Sequence, residues 1–288
     1  MDRIYAYRPY DNWRTLNIIE KQGKRFLKIY DFFLEINEDN YMPKAGLLFD
    51  EILKDQCKDK RVLDLGCGQL GILGIMALHY GAKEILATDV DKKCVNWLKK
   101  IIKNNNIKKF SVVKSNMFSK IDNKQKFDLI LSNPPHMPMK KGKKCDSGGL
   151  DGRYYIKRII TDSINYLNDG GELNMMMLDF LGIDKSYNND ESIFEFARKQ
   201  GYHDMKIIYK FKRKITPGSV TYESLDYIKK VYPKYKFDEF YPECNIVICN
   251  FKKWDEEFEK IYYFWFRWNI VGYNRTGCNS MERSCKKV

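Results

Sequence analysis

At 288 residues and 34.3 kDa, with 44% hydrophobic residues, the chain can bury one substantial core and a small appendage. It holds no run of about 18 uninterrupted apolar residues, and its opening, MDRIYAYRPYDNWR, lacks the apolar segment of a secretory signal; a cytoplasmic protein with no membrane partner is the expectation. Eight cysteines without a C-x-x-C pair, beside only three histidines, argue against a disulfide framework and a zinc site, so no metal is expected. The net charge of +13 points to an anionic macromolecular partner such as RNA, DNA or the ribosome surface. Against a dedicated phosphate-binding face stands the excess of lysine, 39 against 12 arginines, since arginine is the better phosphate fork.

In chain order, residues 1–40 form an aromatic, mixed-charge leader, beyond which strand and helix alternate regularly. RVLDLGCG (61–68) is a short aliphatic run that stops at glycines, and ILGIMALHYG (72–81) carries helical spacing to a terminal glycine. EILATDVD (84–91) predicts a second strand ending in acids, followed by the amphipathic helix KKCVNWLKKIIKNN (92–105). FSVVKSN (110–116), FDLILSN (127–133) and GELNMMML (171–178) continue the strands, with RYYIKRIITDSINYLN (153–168) as a helix before the last. HDMKIIYKFKRK (203–214) and CNIVICNFKK (244–253) are later strands around a segment with one predicted helix. Strands alternating with helices predict a parallel sheet covered on both faces.

DLGCGQLG places glycines at 66, 68 and 71 directly after a strand and before a helix, where backbone N–H groups approach a ligand closely. Asp89 ends the next strand, about 20 residues beyond the loop, the usual place of a ribose-binding acid. Dinucleotides and S-adenosylmethionine both fit this pattern. Asp64 discriminates: it sits poorly beside a pyrophosphate but suits a ligand carrying an ammonium and a sulfonium. Its alternative role is to cap the turn.

With these residues in view, the chain resembles the class I S-adenosylmethionine-dependent methyltransferases. VLDLGCGQLG resembles their first motif, ATDVD their ribose-binding acid, and SNMF (115–118) the stretch near the adenine. The resemblance implies a Rossmann-like α/β fold with a mostly parallel seven-stranded sheet and helices on both faces. It implies S-adenosylmethionine as cofactor, held by Asp64, Gly66, Cys67, Gly68, Gly71, Asp89, Val90, Asn116, Met117 and Asn133. Asn116 stands where many members carry an acid, which removes a charge from the adenine contact.

NPPH (133–136) follows the fourth strand of the glycine-loop sheet. A planar nitrogen has a delocalised lone pair and attacks poorly, so a catalyst gains by holding both its N–H bonds and presenting it in line. The Asn133 side-chain oxygen and the Pro134 carbonyl can supply the two acceptors, on a turn stiffened by Pro134 and Pro135. The alternative is a plain proline turn. The tetrapeptide resembles the Asn-Pro-Pro-Tyr motif of N-methyltransferases, namely adenine-N6 enzymes and HemK/PrmC-like protein-glutamine enzymes. GGLDGRYYIKRIITDSINYLNDGGEL (148–173) and YMPKAGLLFDEIL (41–53) extend the likeness to the HemK/PrmC group, which implies catalytic roles for Asn133, Pro134, Pro135 and His136. His136 replaces the aromatic hydroxyl, and three roles stay open for it: stacking on a planar substrate, a general base that would admit a small-molecule or peptide acceptor, or a satisfied turn residue.

The expected organisation is a leader at 1–40 that faces substrate, a methyltransferase domain at 41–253 with an insert at about 214–243, and a C-terminal extension at 254–288 with an aromatic stretch, YYFWFRWNIVGY. The four lysines of MKKGKKCDSGG (139–149) follow the NPPH turn, as a polyanion contact or a solvated lid. A non-catalytic relative would have lost Asp64, Asp89 or Asn133, and an NAD-dependent oxidoreductase leaves the double proline unexplained.

Overall fold

A computed structural model of the chain describes residues 3–8, 15–37, 44–142 and 145–255. The leader, read from sequence only as aromatic and mixed in charge, holds an antiparallel four-stranded meander of β1 (Arg3–Tyr7), β2 (Leu16–Lys21), β3 (Lys24–Ile29) and β4 (Phe32–Ile36). Ile18, Leu27 and Leu34 pair across it on the inward side. Gln22 and Gly23, both at positive φ, close the two-residue turn between β2 and β3, a geometry matched to the twist of a hairpin. Charged residues between the apolar ones mask this alternation in the sequence.

The short helix α1 (Asp50–Leu53) leads into the main sheet, where β5 (Arg61–Leu65), α2 (Ile72–His79), β6 (Glu84–Asp89), α3 (Lys92–Asn104), β7 (Phe110–Lys114) and β8 (Phe127–Ser132) alternate. Helix α2 is buried on most of its surface, from Ile72 to Ala77, as an apolar helix must be. Helix α3 is amphipathic: the Asp91 side chain caps it by accepting from the Lys93 amide, and Val95, Leu98 and Ile101 face the core. The meander docks on α3, where Trp97 Nε1 donates to the Glu35 carbonyl at 2.9 Å and Lys100 reaches the Glu35 carboxylate at 2.8 Å.

After α4 (Tyr154–Ser163) come β9 (Leu167–Leu178), α5 (Ile193–Lys199), β10 (Tyr202–Lys214), α6 (Val220–Glu223), α7 (Leu225–Val231) and β11 (Glu243–Lys253). The sheet order is β10-β11-β9-β8-β5-β6-β7, parallel from β9 to β7 and antiparallel where β11 joins β9 and β10. This is the mostly parallel seven-stranded sheet expected. Two boundaries differ from the sequence reading. Helix α4 ends at Ser163 and β9 starts at Leu167: the Ser163 hydroxyl bonds back to the Ile160 carbonyl and contacts the Tyr202 hydroxyl, and a register shift between Phe127 and Leu129 lets the strand begin early. The segment after β10 holds two short helices where one was expected, because Ser219 caps the first and Ser224 ends it.

The described residues up to Lys253 form one compact unit. The aromatic stretch read as part of the C-terminal extension lies outside the described residues, as do Lys143 and Lys144 of the lysine loop. No helix among the described residues is long and apolar enough to cross a membrane.

Candidate active site

Strand β5 turns to β6 on one side and to β8 on the other, which opens a crevice at their carboxyl ends. The glycine loop folds back over this point, with the Gly66 and Cys67 amides both donating to the Thr88 carbonyl at 2.8 and 2.9 Å. Gly66 and Gly68 sit at φ +78° and +62° with open space where a side chain would stand, so their backbone is bare toward a ligand. Gly71, at φ +57°, faces inward instead: a Cβ there would lie 2.8 Å from the Leu98 side chain.

Asp89 holds the loop from below. One carboxylate oxygen accepts from the Gly68 amide at 2.8 Å and the other from the Asp91 amide at 2.9 Å. Each oxygen keeps a lone pair for a ribose diol. Val90, next in sequence, is 62% exposed, an apolar surface beside that acid. Across β7, the Ser115 hydroxyl donates to the Met117 carbonyl at 2.6 Å, which holds Met117 at φ +53° and leaves Asn116 exposed. Asp64 is 1% exposed, and one of its oxygens accepts from the Gly74 amide of α2 at 2.9 Å. The capping role weighed from sequence is thus real for one oxygen, on the helix rather than the turn; the other oxygen has no hydrogen bond among the described residues. Burial pushes the Asp64 carboxyl up to about 7, the Gly74 amide pulls it back, and Asp89 adds a smaller push. A buried acid with an unused oxygen fits a cationic ligand.

Asn133 follows Ser132, whose hydroxyl donates to the Leu65 carbonyl at 2.9 Å and ties the ends of β8 and β5 together. The Asn133 amide is half-buried and makes no side-chain hydrogen bond among the described residues. Pro134 is buried, Pro135 half-buried, and His136 Nδ1 lies 2.7 Å from the Pro134 carbonyl. Burial lowers the His136 imidazole to about 4, the Pro134 carbonyl acts the other way, and Arg213 adds to the lowering. A base poised near neutral pH, one of the roles open from sequence, does not match that environment. Asn133, Gly66, Asp89 and Asn116 therefore lie at the carboxyl ends of four neighbouring strands along one edge, a span of roughly 14 Å at the usual strand spacing.

The model of the methyltransferase small domain matches residues 42–203, more than half of the chain. The chain belongs to that methyltransferase family. It is 32% identical over 178 residues to a protein of Methanocaldococcus jannaschii named as a candidate protein N5-glutamine methyltransferase, covering 59% of this chain and 84% of that one. It is 24% identical over 243 residues to the release factor glutamine methyltransferase of Francisella tularensis subsp. tularensis, covering 72% of this chain and 81% of that one. Among solved structures, wild-type Trm5b from Pyrococcus abyssi shares the fold with a TM-score of 0.51 at 16% identity, over 87% of this chain and 63% of that chain.

The methyltransferase uses S-adenosylmethionine, and the edge just described suits it: Asp64 for a positive charge, the open glycine loop for close backbone approach, and Asp89 for a diol. The far side of the NPPH turn was not legible in sequence. Gly148 and Gly152 pack backbone to backbone on His136, since a Cβ would stand 2.7 Å from its Cα and 2.6 Å from its carbonyl oxygen, respectively. Behind them Arg153 is fully buried, donating from Nε to the Leu181 carbonyl at 2.7 Å and from Nη1 to the Glu191 carbonyl at 2.8 Å, and lying over the Tyr232 ring. Tyr232 in turn donates to the Asp151 carbonyl, and Tyr235 to Asp179 at 2.9 Å. The segment at about 214–243, read from sequence as an insert, thus packs on the loop that carries Gly152 and on Asp179. At the opposite, amino-terminal edge of the sheet, a cleft of about 390 Å³ between Arg61, Glu84, Lys109 and Phe127 contains none of these residues.

Proposed function

We propose that this methyltransferase transfers a methyl group to the planar amide nitrogen of a glutamine side chain in a protein partner. The observation that carries the reading is the Asn133 amide: half-buried, without a side-chain hydrogen bond, and placed where β8 meets the glycine loop. Its oxygen and the Pro134 carbonyl are two acceptors on a turn that two prolines hold stiff. They accept the two N–H bonds of the acceptor amide and turn its nitrogen toward the cofactor. Bound S-adenosylmethionine supplies an activated methyl group on a sulfonium. Asp64 and Asp89 hold the charged and ribose ends of the cofactor, and Gly66, Cys67, Gly68 and Gly71 shape the loop that receives it. Val90, Asn116 and Met117 lie at the base end.

The amide nitrogen gives its electron pair to the methyl carbon as the carbon–sulfur bond breaks, and the proton then leaves the methylated nitrogen through one of the two acceptors to water. Deprotonation follows bond formation, so no strong base is required. Orientation of this kind contributes several kcal/mol, with about 7–11 as the upper range for well-aligned groups. The relatives named above support glutamine as the acceptor. The +13 charge favours a second reading, a planar amine on a nucleic-acid base.

Incubation with tritiated-methyl S-adenosylmethionine and a desalted cell extract tests this. Label that is protease-sensitive and is released as methylamine on acid hydrolysis is the expected result. Nuclease-sensitive label would move the acceptor to a base, and label in neither fraction would overturn both readings.

A further inference from the structure

The turn at 133–136 lacks the means by which a sheet usually aims its carbonyls. Residues 134 and 135 carry no N–H, and among the described residues no backbone N–H donates to the Pro134 carbonyl. What reaches that oxygen is the side chain two residues on, His136 Nδ1 at 2.7 Å. A carbonyl oxygen has no proton to give, so the hydrogen is on Nδ1 and the imidazole donates. The ring's own backbone is clamped, with Gly148 and Gly152 so close to its Cα and carbonyl that neither tolerates a side chain.

We propose that His136 is a positioning residue, whose Nδ1–H holds one lone pair of the Pro134 carbonyl and so aims the other at an N–H of the acceptor nitrogen. This rests on the reading of the turn given above and assigns His136 a role distinct from the stacking, base and plain turn roles open to it. Stacking asks only for a flat ring. A base needs Nε2 to take up a proton, which the positive charge of Arg213 on β10 opposes. A donor at Nδ1 is present whether or not the ring carries a second proton, so this role leaves the rate flat through the usual imidazole range.

Three variants separate the roles. The amide nitrogen of asparagine falls where Nδ1 lies, that of glutamine falls near Nε2, and phenylalanine keeps only the flat ring. At saturating S-adenosylmethionine, with unreacted extract protein of the fraction that takes up label as acceptor, His136→Phe and His136→Gln lower the transfer rate by about tenfold or more. His136→Asn stays within about threefold of the parent, and cofactor affinity stays within about twofold in all three, as expected for a group that acts only on the acceptor. A parental rate in His136→Phe would overturn the proposal in favour of stacking, and His136→Asn as slow as His136→Phe would overturn it in favour of a base. Nitrogen-15 spectra of the histidine-labelled protein give a readout that needs no acceptor: with three histidines in the chain, the signal lost in His136→Asn is assigned at once. That signal is expected to show a proton on Nδ1, and a proton on Nε2 alone at neutral pH would overturn the proposal. Absence of any transfer by the parent enzyme defeats the proposed function, while the spectra still decide the hydrogen bond.

Discussion

The glycine loop and the NPPH turn stand side by side on one sheet edge, yet they are held by different means. The loop is fixed by groups within a single strand–helix–strand unit: the Thr88 carbonyl, the Asp89 carboxylate and, behind it, Asp64 of β5, which accepts from the Gly74 amide of α2. The turn is clamped by Gly148 and Gly152 in the loop that follows it, and that loop is tied from far along the chain, by Arg153 to the Leu181 and Glu191 carbonyls and by Tyr232, at the end of α7, to the Asp151 carbonyl. On the proposed reading, cofactor binding is a local property of the fold, and acceptor positioning is a property of its assembly. The two should fail separately.

The largest expected effect tests that separation. Asn133→Ala should lower turnover by roughly 100- to 1000-fold while leaving cofactor affinity nearly unchanged, with tritium transfer and calorimetry as the two readouts. A matching loss of affinity would mean the halves share this residue. Next, Arg153→Leu strands the Leu181 and Glu191 carbonyls in the interior and should cost about 3 kcal/mol of unfolding free energy in urea. Arg153→Lys should recover little, since an ammonium cannot reach both carbonyls as a guanidinium fork does. Asp89→Ala is the counterpart on the other side: it removes the diol acceptor and leaves the Gly68 and Asp91 amides unbonded, and should weaken the cofactor by about 10- to 100-fold in calorimetry.

The mildest effect is a pH dependence carried by Asp64. Its carboxyl lies near 7 in the free enzyme, and the positive cofactor needs it ionised. Affinity should therefore fall as the pH drops below 7, toward about tenfold per pH unit, and Asp64→Asn should flatten the profile at the weak end. The sign for stability is opposite: a carboxyl raised from 3.8 to about 7 on folding costs the free enzyme stability as the pH rises between those values. Thermal unfolding across that window, with and without cofactor, checks both signs.

This contrast also explains what could be read from the chain. Gly66, Gly68, Asp89 and Asn133 were legible because each belongs to a short motif whose spacing encodes its geometry. The parallel sheet with helices on both faces followed from the alternation of aliphatic runs and amphipathic helices. Arg153 was not legible, because nothing local marks an arginine as buried when its acceptors are carbonyls 28 and 38 residues away. The meander escaped for a different reason: Lys21, Lys24, Arg25 and Lys28 crowd its central hairpin and hide a period of two. The proton on His136 Nδ1 depends on a distance to a carbonyl, which composition and spacing do not encode.

The double duty of Asp89 has one further consequence. The carboxylate placed to receive the ribose already ties down Gly68 and the Asp91 amide in the free protein, so the entropy of ordering the loop is lost during folding and not on encounter. The cofactor meets a preformed surface: its association should be fast and single-phase, and the heat-capacity change on binding should reflect the area of the ligand alone, with no contribution from a segment folding around it.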